Sequence, residues 1–217
     1  MTCDDFRRRL SAAAIYSDEH FAAFLLNHDP LAGKWTAAQR SEIITGAVHC
    51  GVDVARELSE RFAAVPPADV ASLLGVKIVA GDLSGARLVL SNYDSRSATI
   101  TLDKALIERL DQCQVSQILL PGTFNPAEVA VAHELFHHIE SGDKSIFPRR
   151  FKVTLWRLGP LRYRSTVPAA SEIAATICAK TICRLCFNPV LLEAVTLYVK
   201  DAQRLAEWFD QLNRAIY

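Results

Sequence analysis

The sequence lacks an excess of either charge. Lys and Arg together number 24, and so do Asp and Glu, which leaves a net charge of zero. A neutral chain has no general electrostatic attraction for nucleic acid or for an anionic membrane surface. Nucleic acid is therefore not expected as the main partner of this protein.

Long apolar runs are also missing. No apolar stretch reaches the roughly 18–20 residues that a membrane span requires, and residues 1–20 lack the apolar segment of a secretory signal. Six cysteines in a 217-residue chain without such a signal are more typical of reduced thiols than of a disulfide framework. These features predict a soluble, cytoplasmic protein without a membrane partner.

The pattern of residues predicts an α+β fold. Residues 1–65 look helical, with Ser17 as an N-cap and a capping box formed by Thr36 and Gln39. The two prolines of "AAVPPAD" cannot continue a helix, so we place a boundary there and expect a second region over residues 66–217. Within it, three β-branched segments predict a small sheet, and further segments predict helices. The predicted strands are 76–81, 86–93 and 97–103, the last two forming a hairpin, and the predicted helical runs include 104–110, 168–187 and 190–215.

The stretch "AVAHELFHHIE" (130–140) places three histidines and two glutamates in a segment that otherwise resembles a buried helix. Asn125 is a favourable N-cap, Pro126 suits the first helical position, and Gly142 offers a stop. Local signals therefore predict a helix over residues 126–141.

On that helix His133 and His137 lie on one face, one turn apart, where both imidazoles can reach a single ion. Glu134 is rotated from His133 by about 100°, so it can act as a base on a zinc-bound water without being a ligand. The string is H-E-x-x-H, the pattern of zinc metallopeptidases. Two less specific interpretations remain: surface histidines on an ordinary helix, and a metal site without catalytic activity.

A zinc site of this kind needs a third protein ligand. Glu140 is on nearly the same face, but it lies about 7 Å along the axis from the expected ion, which favours a supporting role. Glu172, in "VPAASEIAATICAK", begins a second helix among small apolar residues, where a lone carboxylate needs a partner. We expect Glu172 to be the ligand; an exposed first-turn glutamate is the alternative.

These segments resemble the ImmA/IrrE family of gluzincin metallopeptidases over about residues 66–187. "ADVASLLGVKI" is similar to the opening helix and first strand of that family, "VAVAHELFHHIE" to its metal-binding helix, and "SEIAATICAKTI" to its helix with a glutamate ligand. The resemblance implies a zincin-like catalytic part over residues 66–217, zinc held by His133, His137 and a glutamate, and Glu134 as the base. Members of the family cleave regulatory proteins, typically transcriptional repressors.

The segment 148–164 is locally basic and includes Trp156 and Tyr163. Contact with nucleic acid is one interpretation; a loop or strand that borders the cleft and grips an acidic part of a substrate fits a neutral chain better. Tyr163 and Arg164 are candidates for the donor that stabilises an oxyanion.

The sequence thus predicts a zinc endopeptidase that acts on a specific regulatory protein, with a helical extension before its catalytic part. The alternative is a regulatory module that binds a protein or DNA and keeps the zinc helix only as a scaffold. A third option, a zinc hydrolase of small molecules, would require a closed pocket.

Overall fold

A computed structural model describes residues 1–63, 65–83, 89–112 and 124–215. Its architecture is mixed α+β, as the sequence predicts. The helices are α1 (Cys3–Ala13), α2 (Asp18–Asn27), α3 (Ala37–Phe62), α4 (Pro67–Leu73), α5 (Lys104–Gln112), α6 (Pro126–Gly142), α7 (Phe147–Arg150), α8 (Pro168–Ile182), α9 (Leu191–Lys200) and α10 (Ala202–Asn213). Among these residues, none of the helices combines the length and the apolarity needed to cross a bilayer.

The predicted helix starts are confirmed by side-chain hydrogen bonds. Ser17 accepts a bond from the backbone N–H of His20 at the start of α2, and Thr36 and Gln39 form the full capping box of α3. Asn125 caps α6 and is followed by Pro126 at the first helical position. Each cap satisfies an N–H that would otherwise lack a partner, so the local sequence decides where these helices begin.

Three short strands form the predicted sheet: β1 (Lys77–Gly81), β2 (Ser91–Asp94) and β3 (Thr99–Asp103). Their order is β1-β3-β2, with β1 parallel and β2 antiparallel to β3, so the predicted β2–β3 hairpin is confirmed. The strand predicted over 86–93 is observed only from Ser91, because pairing ends where β3 passes into α5; residues 84–88 lie outside the described residues.

The segment between α6 and α8 folds as a second hairpin, β4 (Val153–Leu158) and β5 (Leu161–Ser165). This agrees with the expectation of a loop or strand there.

The helical runs predicted near the C-terminus extended too far. The run predicted over 168–187 ends at Ile182, and Arg184 soon after it has a positive φ of 51°. The run over 190–215 is two helices that meet at Asp201, whose extended backbone breaks the first and whose side chain caps the second.

The N-terminal helices share one hydrophobic core with the rest of the chain. Buried residues from α1, α2 and α3 belong to the same cluster as buried residues from α6 and α8. Gly51 on α3 allows close contact with α8, because a Cβ at this position would collide with the carbonyl oxygen of Ala174. The division at residue 65 therefore stays a prediction about the sequence, while the packing joins both regions and fixes α8 beside α6.

Candidate metal centre

Three side chains from two helices meet at the centre of the candidate site. His133 and His137 lie one turn apart on α6, with their Nε2 atoms 3.2 Å from each other. Glu172 on α8 places Oε2 3.4 Å from Nε2 of His133 and Oε1 3.7 Å from Nε2 of His137. The predicted ligand set is thus brought together, and it can hold a metal ion.

The spacing of the donor atoms fits a tetrahedral ion. Bonds of about 2.0–2.1 Å from zinc to nitrogen or oxygen place neighbouring ligand atoms about 3.3–3.4 Å apart. The two Nε2 atoms are 3.2 Å apart and Oε2 of Glu172 lies 3.4 Å from Nε2 of His133, both close to this value, while the 3.7 Å separation from Nε2 of His137 is measured to the other oxygen, Oε1. The Glu172 side chain is 55% exposed, so the site is open on that side. Three protein donors leave one position of a tetrahedral ion without a protein ligand.

The electrostatic environment of His133 favours a cation. Burial disfavours the protonated imidazole, but a hydrogen bond and the charge of Glu172, together with the charge of Glu134, raise the pKa of His133 above its ordinary value. A proton or a metal ion can supply the positive charge. The same carboxylates that retain a proton on His133 therefore stabilise a bound metal.

His137 is oriented from behind by Glu140 and Ser171. Its Nδ1 lies 3.3 Å from Oε2 of Glu140 and 3.2 Å from Oγ of Ser171, while the Ser171 hydroxyl donates to the same Glu140 oxygen at 2.5 Å. A proton on Nδ1 directed at Glu140 leaves the lone pair of Nε2 facing His133 and Glu172. A carboxylate in this position fixes the imidazole tautomer and strengthens it as a ligand. The supporting role expected for Glu140 agrees with these contacts.

Glu134 is buried, and β2 holds it in place. The Ser91 hydroxyl donates to Oε1 of Glu134 at 2.7 Å. Two residues further along the strand, the Tyr93 hydroxyl and Nδ1 of His138 are 2.8 Å apart. Two side chains on one face of β2 thus contact Glu134 and His138, which are one turn apart on α6. This bond occupies one oxygen of the carboxylate and leaves the other available to a further partner.

Tyr163 and Arg164 lie on β5. The ring of Tyr163 stacks on Trp156, with ring centroids 5.9 Å apart. The Arg164 guanidinium donates to the backbone carbonyl of Lys152 at 3.1 Å. Neither contact involves the three metal-binding side chains, so the oxyanion role of Tyr163 and Arg164 stays a prediction.

The sequence did not point to Ser91, Tyr93 or Ser171 as parts of the site. Alternation along a strand predicts that Ser91 and Tyr93 share a face, but it does not say which helix that face meets. Ser171 is the immediate neighbour of Glu172 and contacts Glu140 rather than the ion. These residues become recognisable only when the sheet and α8 are packed against α6.

Comparison with known proteins gave no relative: no family model, no curated protein and no solved structure matches this chain.

Proposed function

We propose that this protein is a zinc-dependent endopeptidase with a zincin-like catalytic part. The observation that carries the proposal is that three metal-binding side chains converge beside a buried carboxylate, Glu134, that is not one of them. If α6 carried its histidines without binding a metal, Glu172 would not be needed opposite the two imidazoles. The hydrogen bond from the Ser91 hydroxyl to the Glu134 carboxylate would not be needed either.

Zinc is the metal that this donor set favours, since two imidazoles and one carboxylate with tetrahedral spacing suit it. When bound, it supplies Lewis-acid chemistry that polarises the scissile carbonyl and makes a water molecule more acidic. His133 and His137 would hold it through Nε2, and Glu172 would hold it through a carboxylate oxygen. Glu140 and Ser171 keep His137 in the tautomer that can bind.

Glu134 carries the proton chemistry of the proposed reaction. Its Oε1 accepts a hydrogen bond from the Ser91 hydroxyl, so Oε2 is the oxygen that takes a proton from the attacking water. The same oxygen then gives the proton to the leaving amine, which becomes a neutral product. The peptide C–N bond is broken, the water oxygen is added to the carbonyl carbon, and the carboxylate is restored.

The open side of the site favours a polypeptide over a small molecule as substrate. Glu172 is more than half exposed, whereas sites for small molecules enclose most of the ligand surface. The resemblance of residues 66–187 to the ImmA/IrrE family makes a transcriptional regulator the substrate to test first.

The test uses Glu134→Gln, which keeps the shape of the side chain but cannot accept the proton. We expect this variant to retain zinc and fold normally and to lose hydrolysis by on the order of 10²-fold or more. Candidate regulators are incubated with wild-type and variant protein, and fragments are identified by mass spectrometry. Absence of any first-row metal after reconstitution with zinc would exclude the proposal. Complementation of a deletion phenotype by Glu134→Gln would instead favour a regulatory module that uses the zinc helix as a scaffold.

A further inference from the structure

The start of α8 receives its helix cap from a distant part of the chain. Val167, at the N-cap position of α8, has an apolar side chain that cannot accept a hydrogen bond, and Pro168 follows it at the first helical position. The backbone N–H of Ala169, which an N-cap side chain often satisfies, donates instead to Oδ2 of Asp29 at 3.0 Å. Asp29 lies 140 residues earlier in the chain, shortly after α2, so this cap is a tertiary contact.

Both oxygens of the Asp29 carboxylate are used. The residue is only 6% exposed. Its Oδ1 accepts the backbone N–H of Leu31 at 2.8 Å, while Oδ2 accepts that of Ala169. The first bond fixes the turn that follows α2, and the second joins that turn to α8. A carboxylate at a helix N-terminus also interacts favourably with the helix dipole, so Asp29 stabilises the first turn of α8 in two ways.

The capped turn of α8 carries the third metal-binding side chain. Ala169 lies one helical turn before Glu172. Oε2 of Glu172 is 3.4 Å from Nε2 of His133, and a ligand must keep its position to within about 0.5 Å. Ser171 joins this turn to α6, whereas Asp29 joins it to the N-terminal region. The place of Glu172 opposite the imidazoles therefore depends on the Asp29 contact.

The N-terminal region holds the rest of α8 through different contacts. α3 packs along the middle of α8, where Gly51 lies against the backbone of Ala174. Near the end of α8, Lys180 donates to both carboxylate oxygens of Asp18 at 2.7 Å. These contacts act at residue 174 and beyond, whereas Asp29 acts on the first turn. The two kinds of contact can therefore be changed separately.

We propose that Asp29 is a positioning residue of the metal centre: its carboxylate holds the first turn of α8 so that Glu172 meets the two imidazoles. In this way the N-terminal region completes a metal site whose histidines lie on another helix. The inference rests on the metal site of the proposed function, but not on hydrolysis. Loss of the bond between Asp29 and Ala169 should weaken metal binding through Glu172 alone.

Asp29→Ser tests this role while it keeps the local turn. The serine hydroxyl can still accept the N–H of Leu31, as serine does in turns of this kind, but it has no second oxygen for Ala169. Loss of a helix cap corresponds to about 2–30-fold in an equilibrium constant. We expect zinc affinity, measured by competition with a fluorescent chelator, to fall by about 3–10-fold. The visible absorption of bound Co²⁺, which reports the ligand geometry, should change towards that of Glu172→Ala protein.

A double-mutant cycle shows whether Asp29 acts through Glu172. In Glu172→Ala protein, the further change Asp29→Ser should leave zinc affinity unchanged to within about twofold, since the side chain that Asp29 positions is gone. An equal loss of affinity in both backgrounds would overturn the inference, because Asp29 would then act on the histidines or on the whole fold. An unchanged affinity in Asp29→Ser alone would overturn it as well.

Asp18→Ser is the matched control, since it removes another aspartate of the N-terminal region from the opposite end of α8. It should lower the Tm of the metal-free protein but keep the wild-type zinc affinity and Co²⁺ spectrum. A loss of zinc affinity as large as that of Asp29→Ser would mean that any loosening of α8 weakens the site. That result would reject a specific role of Asp29.

A second measurement requires no change at Asp29. Because a coupling between two sites is reciprocal, zinc should slow the hydrogen exchange of the Ala169 amide in wild-type protein, but not in Glu172→Ala protein. Exchange that is equal with and without zinc in the wild type would contradict the inference.

The outcomes also separate this inference from the proposed function. Zinc uptake and hydrolysis that are both independent of Asp29 would reject the positioning role and leave the enzyme. A Glu172-dependent effect of Asp29→Ser on zinc affinity, in a protein that hydrolyses no polypeptide, would keep the positioning role and reject the enzyme. Wild-type protein that takes up neither zinc nor Co²⁺ would reject both.

Discussion

Replacement of Glu172 by Ala tests the ligand that comes from outside the histidine helix. It removes one of three donors whose atoms are spaced for a single ion, and we expect zinc affinity to fall by at least about tenfold. The side chain is more than half exposed, so little packing is lost and the zinc-free fold should be unchanged. The affinity is measured by competition with a fluorescent zinc chelator.

The same change has a calculable effect on thermal stability. At a free zinc concentration of 100 times Kd, a metal that binds only the folded state stabilises it by about 2.7 kcal/mol. With Kd raised tenfold, the same zinc concentration gives about 1.4 kcal/mol. The difference of about 1.3 kcal/mol corresponds to about 3–5 °C in Tm for a chain of this size. Without zinc, and at a pH above the raised pKa of His133, where the imidazole is neutral and gains nothing from the Glu172 charge, wild-type and Glu172→Ala protein should unfold at the same temperature.

Glu193→Ala is the matched control, since Glu193 is another glutamate on a helix after His137, and the charged groups that act on it are His28 and Arg204 rather than the histidines of the site. It should leave zinc affinity unchanged. Wild-type affinity in Glu172→Ala would refute the assignment of Glu172, and a loss of affinity in Glu193→Ala instead would transfer the role of third ligand to Glu193. Neither result would change the assignment of the two histidines.

Three further predictions address the surroundings of the site. Glu140→Gln should weaken zinc binding by about 10–100-fold through loss of the carboxylate that orients His137, and unaltered binding in the chelator assay would contradict this role. Zinc affinity should fall as the pH is lowered, because the metal needs a neutral imidazole and competes with the proton on His133. Since the pKa of His133 is raised, the fall should begin above the usual imidazole value of about 6.5. A zinc affinity that stays constant down to that pH would be inconsistent with the raised pKa. Gly51→Ala should destabilise the fold by about 1–3 kcal/mol, or about 2–12 °C in Tm, because the added Cβ collides with the backbone of Ala174. The Tm is measured by calorimetry. An unchanged or higher Tm would mean that α3 and α8 can move apart at little cost in free energy.

Much of the fold was predictable because its signals are local. Caps such as Ser17, Thr36 and Asn125 bond to N–H groups two or three residues away, so the sequence alone locates the helix starts. The β2–β3 hairpin is equally local, since its strands are joined by a short turn. Helix ends were predicted less well. Asp201 interrupts a continuous helical pattern, and its N-cap bond to the backbone N–H of Arg204 is a local signal that the apolar periodicity of residues 190–215 concealed.

The sequence by itself determined the pairing of the two histidines and the position of the carboxylate of Glu134 beside them, because a helix repeats every 3.6 residues and places His133 and His137 on one face. It also indicated Glu172, through an apolar setting and a resemblance, but it could not bring that residue to the histidines. Contact between α6 and α8 decided this, and the packing of α8 on α3 around Gly51 holds α8 in place. The contacts of Ser91 with Glu134 and of Ser171 with Glu140 depend on the same packing, since they join residues 43 and 31 positions apart. Local pattern fixes which side chains share a face; only the tertiary structure fixes which faces meet.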